Sequence, residues 1–316
     1  MKILFTSAGR RVELIQMFRD AAEKLNKDLT LYGADLDPSA PALLFCDEAL
    51  QVPSIQSEEY LPSLKEYCRE NHIDLLIPTI DTDLLLLAEN WELFEEIHTH
   101  VLISHPDKVA VCQDKCDTAR YFHSLGLRSP LPVEDIAEYD GGYPAFIKPK
   151  NGSASKNAYR VNSREELEVY AEQVPDYIVQ PFVSGTEYTV DIFCDFQGNP
   201  IYITPRIRLS VRAGEVLKTQ ICQDQSMIEE MKKLVADYKP CGPITVQLIK
   251  DNETGENWYI EINPRFGGGA PLSMKAGANA AEALLRVLDG ETVDYSANAA
   301  EDGAVFCRFD QSVRVG

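Results

Sequence analysis

The stretch WYIEINPRFGGGAP, residues 258–271, sets an acid, an amide and a guanidinium at alternate positions, Glu261, Asn263 and Arg265, just before Gly267, Gly268 and Gly269. Side chains of a strand alternate between its two faces, so these three share one side. Upstream, GPITVQLIK (242–250) alternates in the same way, and DNETGEN (251–257) between the two is turn chemistry. A turn centred on Thr254 sets Gln247 opposite Glu261 and Thr245 opposite Asn263. The even-numbered face, Ile244, Val246, Leu248, Trp258, Ile260 and Ile262, then reads as core. A slip by one residue would lay one strand's apolar set against the other's polar set, so the pattern itself sets the register.

The odd-numbered face is a set of hard oxygen donors. Mg²⁺ is commonly held by one or two carboxylates, with water and substrate phosphates completing its shell. Glu261 would bring the charge, and Gln247 and Asn263 would bring neutral carbonyl oxygens. Mn²⁺ suits the same donors. Arg265, two residues further on, would meet negative charge on a transferring phosphoryl group.

The composition fits a small-molecule enzyme. At 316 residues the chain is long enough for two or three domains, and 45% hydrophobic with 25% charged residues is ordinary for a globular protein. A formal charge of −20 argues against a nucleic-acid surface, while leaving room for a local basic pocket. The N-terminal MKILFTSAGRR is too short in apolar residues for a signal peptide, and no run approaches a membrane span. Eight cysteines without a CxxC pair read as reduced thiols in the cytoplasm. Chain length permits a homodimer without requiring one.

Residues 1–107 alternate strand and helix. KILFTSA (2–8), LTLYGAD (29–35) and IDLLIPTID (73–81) are continuous apolar runs, with segments of helical spacing between them. That pattern predicts a parallel, Rossmann-like sheet covered on both faces. The TSAG loop meets a helix start, a place suited to anions, so Gly9 and Arg10 are candidate substrate contacts. With Asp35 ending the second strand, a nucleotide-dependent oxidoreductase is a rival reading. The G-x-G-x-x-G spacing it needs is absent.

Residues 108–178 read as a small lid and 179–316 as a mainly antiparallel C-terminal unit. DKCDTARYFHSLGL is a helix, with Asp114 as N-cap and Gly126 as stop. Lys148 and Lys150 fall at alternate positions of one strand, and NGSAS (151–155) offers small residues and free N–H groups, equipment for cradling phosphates. Lys115 would add charge there, and Glu187 is a natural acceptor for ribose hydroxyls. Arg206 and Arg208 share a strand face and would grip a carboxylate.

Together DK (114–115), IKPKNGSAS (147–155), VQPFVSGTEYTVDI (179–192) and EINPR (261–265) resemble, in this order, the ATP-grasp superfamily. The general likeness is to single modules of the carbamoyl-phosphate synthase large-chain kind, biotin carboxylase and D-alanine–D-alanine ligase. The resemblance implies that Lys115 and Lys148 contact ATP phosphates, with Lys150, Ser153 and Ser155 in or beside the closing loop. It makes Gln180, Pro181, Phe182 and Val183 the hinge that meets adenine, and Glu187 the ribose contact. Gln247, Glu261 and Asn263 would hold Mg²⁺, Arg265 would face an acyl phosphate, and Lys218 would be a further phosphate-facing lysine. The implied activity is ATP-dependent ligation of a small carboxylate to an amine or thiol. A non-ligating ATP-binding module is the reading from another class.

Overall fold

The computed structural model describes residues 1–151 and 157–315. Five parallel strands open the chain: β1 (Lys2–Thr6), β2 (Thr30–Asp35), β3 (Glu48–Gln51), β4 (Leu75–Pro78) and β5 (His100–Val101), in the order β3-β2-β1-β4-β5. Their apolar runs follow from burial on both faces. Phe5 packs with Phe18 of the helix Val12–Leu25, while Leu4 and Leu76 pack with Leu64 of the helix Tyr60–Asn71. The first of these cores also takes in Phe266, Met274 and Leu284 from the end of the chain. The N-terminal sheet is thus welded to the C-terminal third by continuous apolar packing.

A second sheet has three strands, β6 (Ala145–Pro149), β7 (Tyr159–Val161) and β8 (Tyr177–Pro181), in the order β7-β6-β8. The helix Arg164–Ala171 covers it, and Ala145, Ile147, Val161, Leu167 and Val179 make its small core. This lid differs from the 108–178 span in two respects. The helix Lys115–Ser124, correctly capped by Asp114, sends Phe122 into the core of the C-terminal sheet, so it belongs there. At the other end, a boundary after residue 178 would cut β8, which pairs with β6 as far as Pro181.

The third sheet holds β9 (Gly185–Cys194), β10 (Pro200–Arg212), β11 (Glu215–Ile221), β12 (Pro243–Asp251), β13 (Asn257–Asn263) and β14 (Val305–Cys307), in the order β13-β12-β9-β10-β11-β14. Every neighbouring pair is antiparallel. One face packs Val190, Ile192, Val246 and Ile262 against the helix Gln225–Tyr238.

Thr245 pairs with Asn263 and Gln247 with Glu261, the register read from the alternation. Beyond Gln247 a β-bulge moves the partners by one, so Leu248 faces Tyr259 and Ile249 faces Trp258. A bulge exchanges the faces beyond it. Tyr259 and Asn257 therefore turn to the core, in place of the expected Trp258 and Ile260, which are half-buried. The Tyr259 hydroxyl donates to Glu230 at 2.6 Å. Among the described residues no helix is long and apolar enough to cross a membrane.

Because Tyr259 fills the core, Tyr259→Ala should lower stability by about 3–5 kcal/mol, against about 1 kcal/mol for Trp258→Ala. Urea unfolding of the two variants checks the exchange of faces; equal losses would contradict it.

Candidate active site

The other face of the antiparallel sheet carries two polar rows across β13, β12, β9 and β10. Register sets Asp191, Thr245 and Asn263 in one row and Thr189, Gln247 and Glu261 in the next, with Thr204 and Arg206 continuing the rows on β10. Asp191 is the hub of this floor. It accepts from Arg206 Nε at 2.8 Å and from Ser273 Oγ at 2.6 Å, tying two strands to the helix Ala270–Lys275. A buried guanidinium is tolerable only when so paired.

The three glycines of the opening stretch run directly over these side chains. A Cβ on Gly267 would lie 2.8 Å from Thr245 Oγ1, and one on Gly269 would lie 2.6 Å from an Arg206 nitrogen. Gly267 N–H also donates to Thr245 Oγ1 at 3.1 Å. Close approach of backbone to a polar floor leaves no room for side chains here.

Three parts of the chain lie within electrostatic reach of one another at Glu261. Lys115 opens its helix and donates to the Lys150 carbonyl at 3.0 Å. Lys148, on β6, is buried and has its pKa pushed down to about 8, first by burial and then by the neighbouring Lys115, with Glu261 acting the other way. Lys115 is lowered too, chiefly by burial, and Glu261 again opposes the shift. Two desolvated lysines facing one carboxylate make a pocket that favours a polyanion.

Asn263 Nδ2 donates to Glu261 Oε1 at 3.0 Å, and Arg265 donates to Asn263 Oδ1 at 3.3 Å and to Asp81 Oδ2 at 2.5 Å. Among the described residues no three His, Cys, Asp or Glu side chains gather as metal ligands. A divalent ion here would rest on one carboxylate and the amide oxygens of Gln247 and Asn263, with the remaining sites left to phosphate and water. That donor set fits Mg²⁺.

The remaining expected contacts are spread over several elements. β6 stops at Pro149, so alternation does not carry Lys150 round to Lys148's side; it is paired with Glu134 at 3.0 Å and Asp114 at 3.3 Å. Ser153 and Ser155 fall outside the described residues. Gln180 is buried and opposite Phe146, Pro181 ends β8, and Phe182 N–H donates to the Pro144 carbonyl with the Arg160 guanidinium 4.8 Å from its ring. Val183 follows in the short link to β9. Glu187 is exposed on β9 and held by Arg208 at 3.3 Å. Lys218 is exposed beside a β10–β11 irregularity, opposite Ser210.

The two-arginine grip fails, because Arg206 is consumed by Asp191 beneath the glycine loop and Arg208 turns to Glu187 and the Gly214 carbonyl. Gly9 is not free for an anion either, since its N–H donates to Asp35 Oδ2 at 2.7 Å. One bond thus occupies both features on which the dinucleotide reading rested. Arg10 points outward, 3.6 Å from Asp310, with 85% of its side chain exposed. The inward residue is Arg11, which sequence reasoning missed. The loop between β1 and the helix Val12–Leu25 has left-handed backbone at Ser7 (φ 50°) and Gly9 (φ 49°), and residue type does not reveal the first of these.

Residues 173–306 match the family model described as ATP-grasp in the biosynthetic pathway with Ter operon. That stretch of the chain is similar to the ATP-grasp family. Residues 3–102 match the PylC-like N-terminal domain. D-alanine–D-alanine ligase B of Clostridium perfringens is 23% identical over 243 residues, 66% of this chain and 78% of that protein. The N-terminal section of the carbamoyl phosphate synthase large chain of Aquifex aeolicus is 23% identical over 301 residues, 84% of this chain and 53% of that section, so the chain spans about half of its length. Among solved structures, the biotin carboxylase domain dimer of Hydrogenobacter thermophilus 2-oxoglutarate carboxylase, in complex with MgADP and bicarbonate, superposes with a TM-score of 0.73 at 16% identity, covering 96% of this chain and 73% of that one. The fold of that biotin carboxylase domain is shared along nearly the whole chain.

Lys148 gives the pocket a pH signature. Its folded pKa of about 8 lies below the ordinary lysine value of 10.5, so the unfolded chain holds the proton more tightly and stability from this group rises with pH across that window. Nucleotide binding has the opposite dependence, because phosphates attract only the charged form. The dissociation constant of MgADP should rise about tenfold for each pH unit above 8, and Lys148→Met should flatten the profile. Calorimetric titration across that range checks it.

Proposed function

We propose that this chain is an ATP-dependent carboxylate–amine ligase acting through an acyl phosphate. The observation that carries the reading is that Lys115, Lys148 and Glu261, three groups distant in sequence, lie within electrostatic reach of one another at one polar sheet face. A carboxylate oxygen of the substrate attacks the γ-phosphorus, the bond to ADP breaks, and ADP leaves. The amine then attacks the acyl carbon, phosphate departs with its oxygen, and the amine gives up a proton. Such chemistry needs in-line positioning and charge neutralisation more than a nucleophilic side chain.

In this reading Lys115 and Lys148 bind and orient the phosphates, and the Gln180–Val183 link borders the adenine. Glu187 reaches the ribose once Arg208 releases it. Gln247, Glu261 and Asn263 would hold Mg²⁺, or Mn²⁺ in its place, and the ion would supply charge neutralisation for the phosphates. Arg265, adjoining them, faces the developing acyl phosphate. The eight unpaired cysteines fit a reducing compartment, the cytoplasm.

Loss of one electrostatic contact to the transition state costs about 3 kcal/mol, so Glu261→Ala should lower ATP turnover by about a hundredfold or more without unfolding the protein. Phosphate release from Mg-ATP, screened over carboxylic acids crossed with amines, measures this and identifies the substrates. Undiminished release in the variant would contradict the assignment.

A further inference from the structure

In the N-terminal sheet the chain runs outward from β1 to β2 and β3, then crosses to β4 and β5 on the other side. The switch lies between β1 and β4, and the crevice outside the carboxyl ends of such strands is where open α/β sheets bind ligands. Both loops at this crevice are held in place. Asp83, after β4, accepts from Thr6 Oγ1 at 3.2 Å and from Ser7 Oγ at 3.1 Å, and Thr79 Oγ1 donates to the Ser7 carbonyl at 2.8 Å.

Arg11 projects from the first loop to the Thr79 carbonyl, 2.8 Å away, and this is its one side-chain hydrogen bond among the described residues. Its situation differs from that of the other guanidinium groups nearby. Arg206 has Asp191, Arg265 has Asp81, and Arg308 has Glu215 and Glu13. Arg11, half-buried, has no carboxylate oxygen of the described residues within 4.0 Å. Around it stand Arg265 and Arg308 with the carboxylates Glu215 and Asp81, which pair with those two arginines and leave the Arg11 guanidinium as the one without an ion pair among the described residues. A half-buried guanidinium with unused donors suits planar, bidentate recognition of a carboxylate.

We propose that Arg11 is the specificity-determining residue of the ligase, binding a carboxylate of the substrate at the β1–β4 switch point and holding it against Arg265. The proposal rests on the ligase reading and extends it, because it gives the N-terminal domain a direct share in substrate selection. Burial and the adjacent Arg265 already lower the Arg11 pKa to about 10, a shift that a bound anion would reverse.

The test is thermal denaturation of the full chain saturated with MgADP, with acetate, alanine of either hand, glutamate and succinate as probes, each beside its amide. At least one carboxylate should raise the melting temperature while its amide does not. Arg11→Ala should weaken that probe by about tenfold or more, Arg11→Lys should restore part of the loss, and methylguanidinium added to Arg11→Ala should restore more. The stabilisation of each variant by MgADP reports that its fold is intact. A carboxylate shift that survives Arg11→Ala, or no carboxylate shift in the unaltered protein despite a MgADP shift, would overturn the assignment of Arg11. Failure of MgADP to stabilise the unaltered protein would instead remove the ligase reading, and this site with it.

Discussion

The pairing of Gln247 with Glu261 across β12 and β13 is the constraint on which the site depends. It places amide and carboxylate side by side on the face away from the helix Gln225–Tyr238, and it aligns Thr245 with Asn263 one row further. Because strand alternation is strict, the same pairing drives Val246 and Ile262 into the core. Stability and polar surface come from one register, and neither can be moved without the other. The bulge immediately beyond Gln247 then turns Tyr259 inward to Glu230, which fixes the far half of the hairpin.

Charge is distributed to match. The chain is strongly acidic overall, yet the polar sheet face and the crevice above it gather Lys115, Lys148, Arg11 and Arg265. Three of these come from elements outside the antiparallel sheet that Glu261 belongs to: Lys115 from the helix Lys115–Ser124, Lys148 from the three-stranded lid and Arg11 from the loop after β1. Burial strengthens each charge's effect on a polyanion by removing water from around it. Arg265, paired with Asp81, bridges the third sheet and the first. The apolar seam of Phe266, Met274 and Leu284 against Phe5 and Phe18 keeps that bridge in place.

Local alternation made much of this legible. The parallel sheet follows from fully apolar strands, the helix start from Asp114, and the hairpin register from the odd and even sets of β12 and β13. What escaped the sequence depends on where alternation stops. Pro149 ends β6 and sends Lys150 to Glu134; a bulge exchanges Ile260 for Tyr259; the loop that carries Arg10 and Arg11 has left-handed backbone at Ser7 and Gly9. Arg206 escaped for another reason. Its partner, Asp191, lies on a different strand, and only assembly of the sheet shows that the charge is already taken. Phe122 similarly assigns its helix to the C-terminal core through contacts that periodicity cannot distinguish from packing on the lid.

The most direct test of the nucleotide's place is a crystal structure with a non-hydrolysable ATP analogue and Mn²⁺, the ion located by its anomalous scattering. The account predicts an ion within about 2.5 Å of Glu261 oxygen, with the triphosphate lying between it and Lys148. An ion and triphosphate bound away from Glu261, or a nucleotide that leaves Lys148 facing empty solvent, would contradict it.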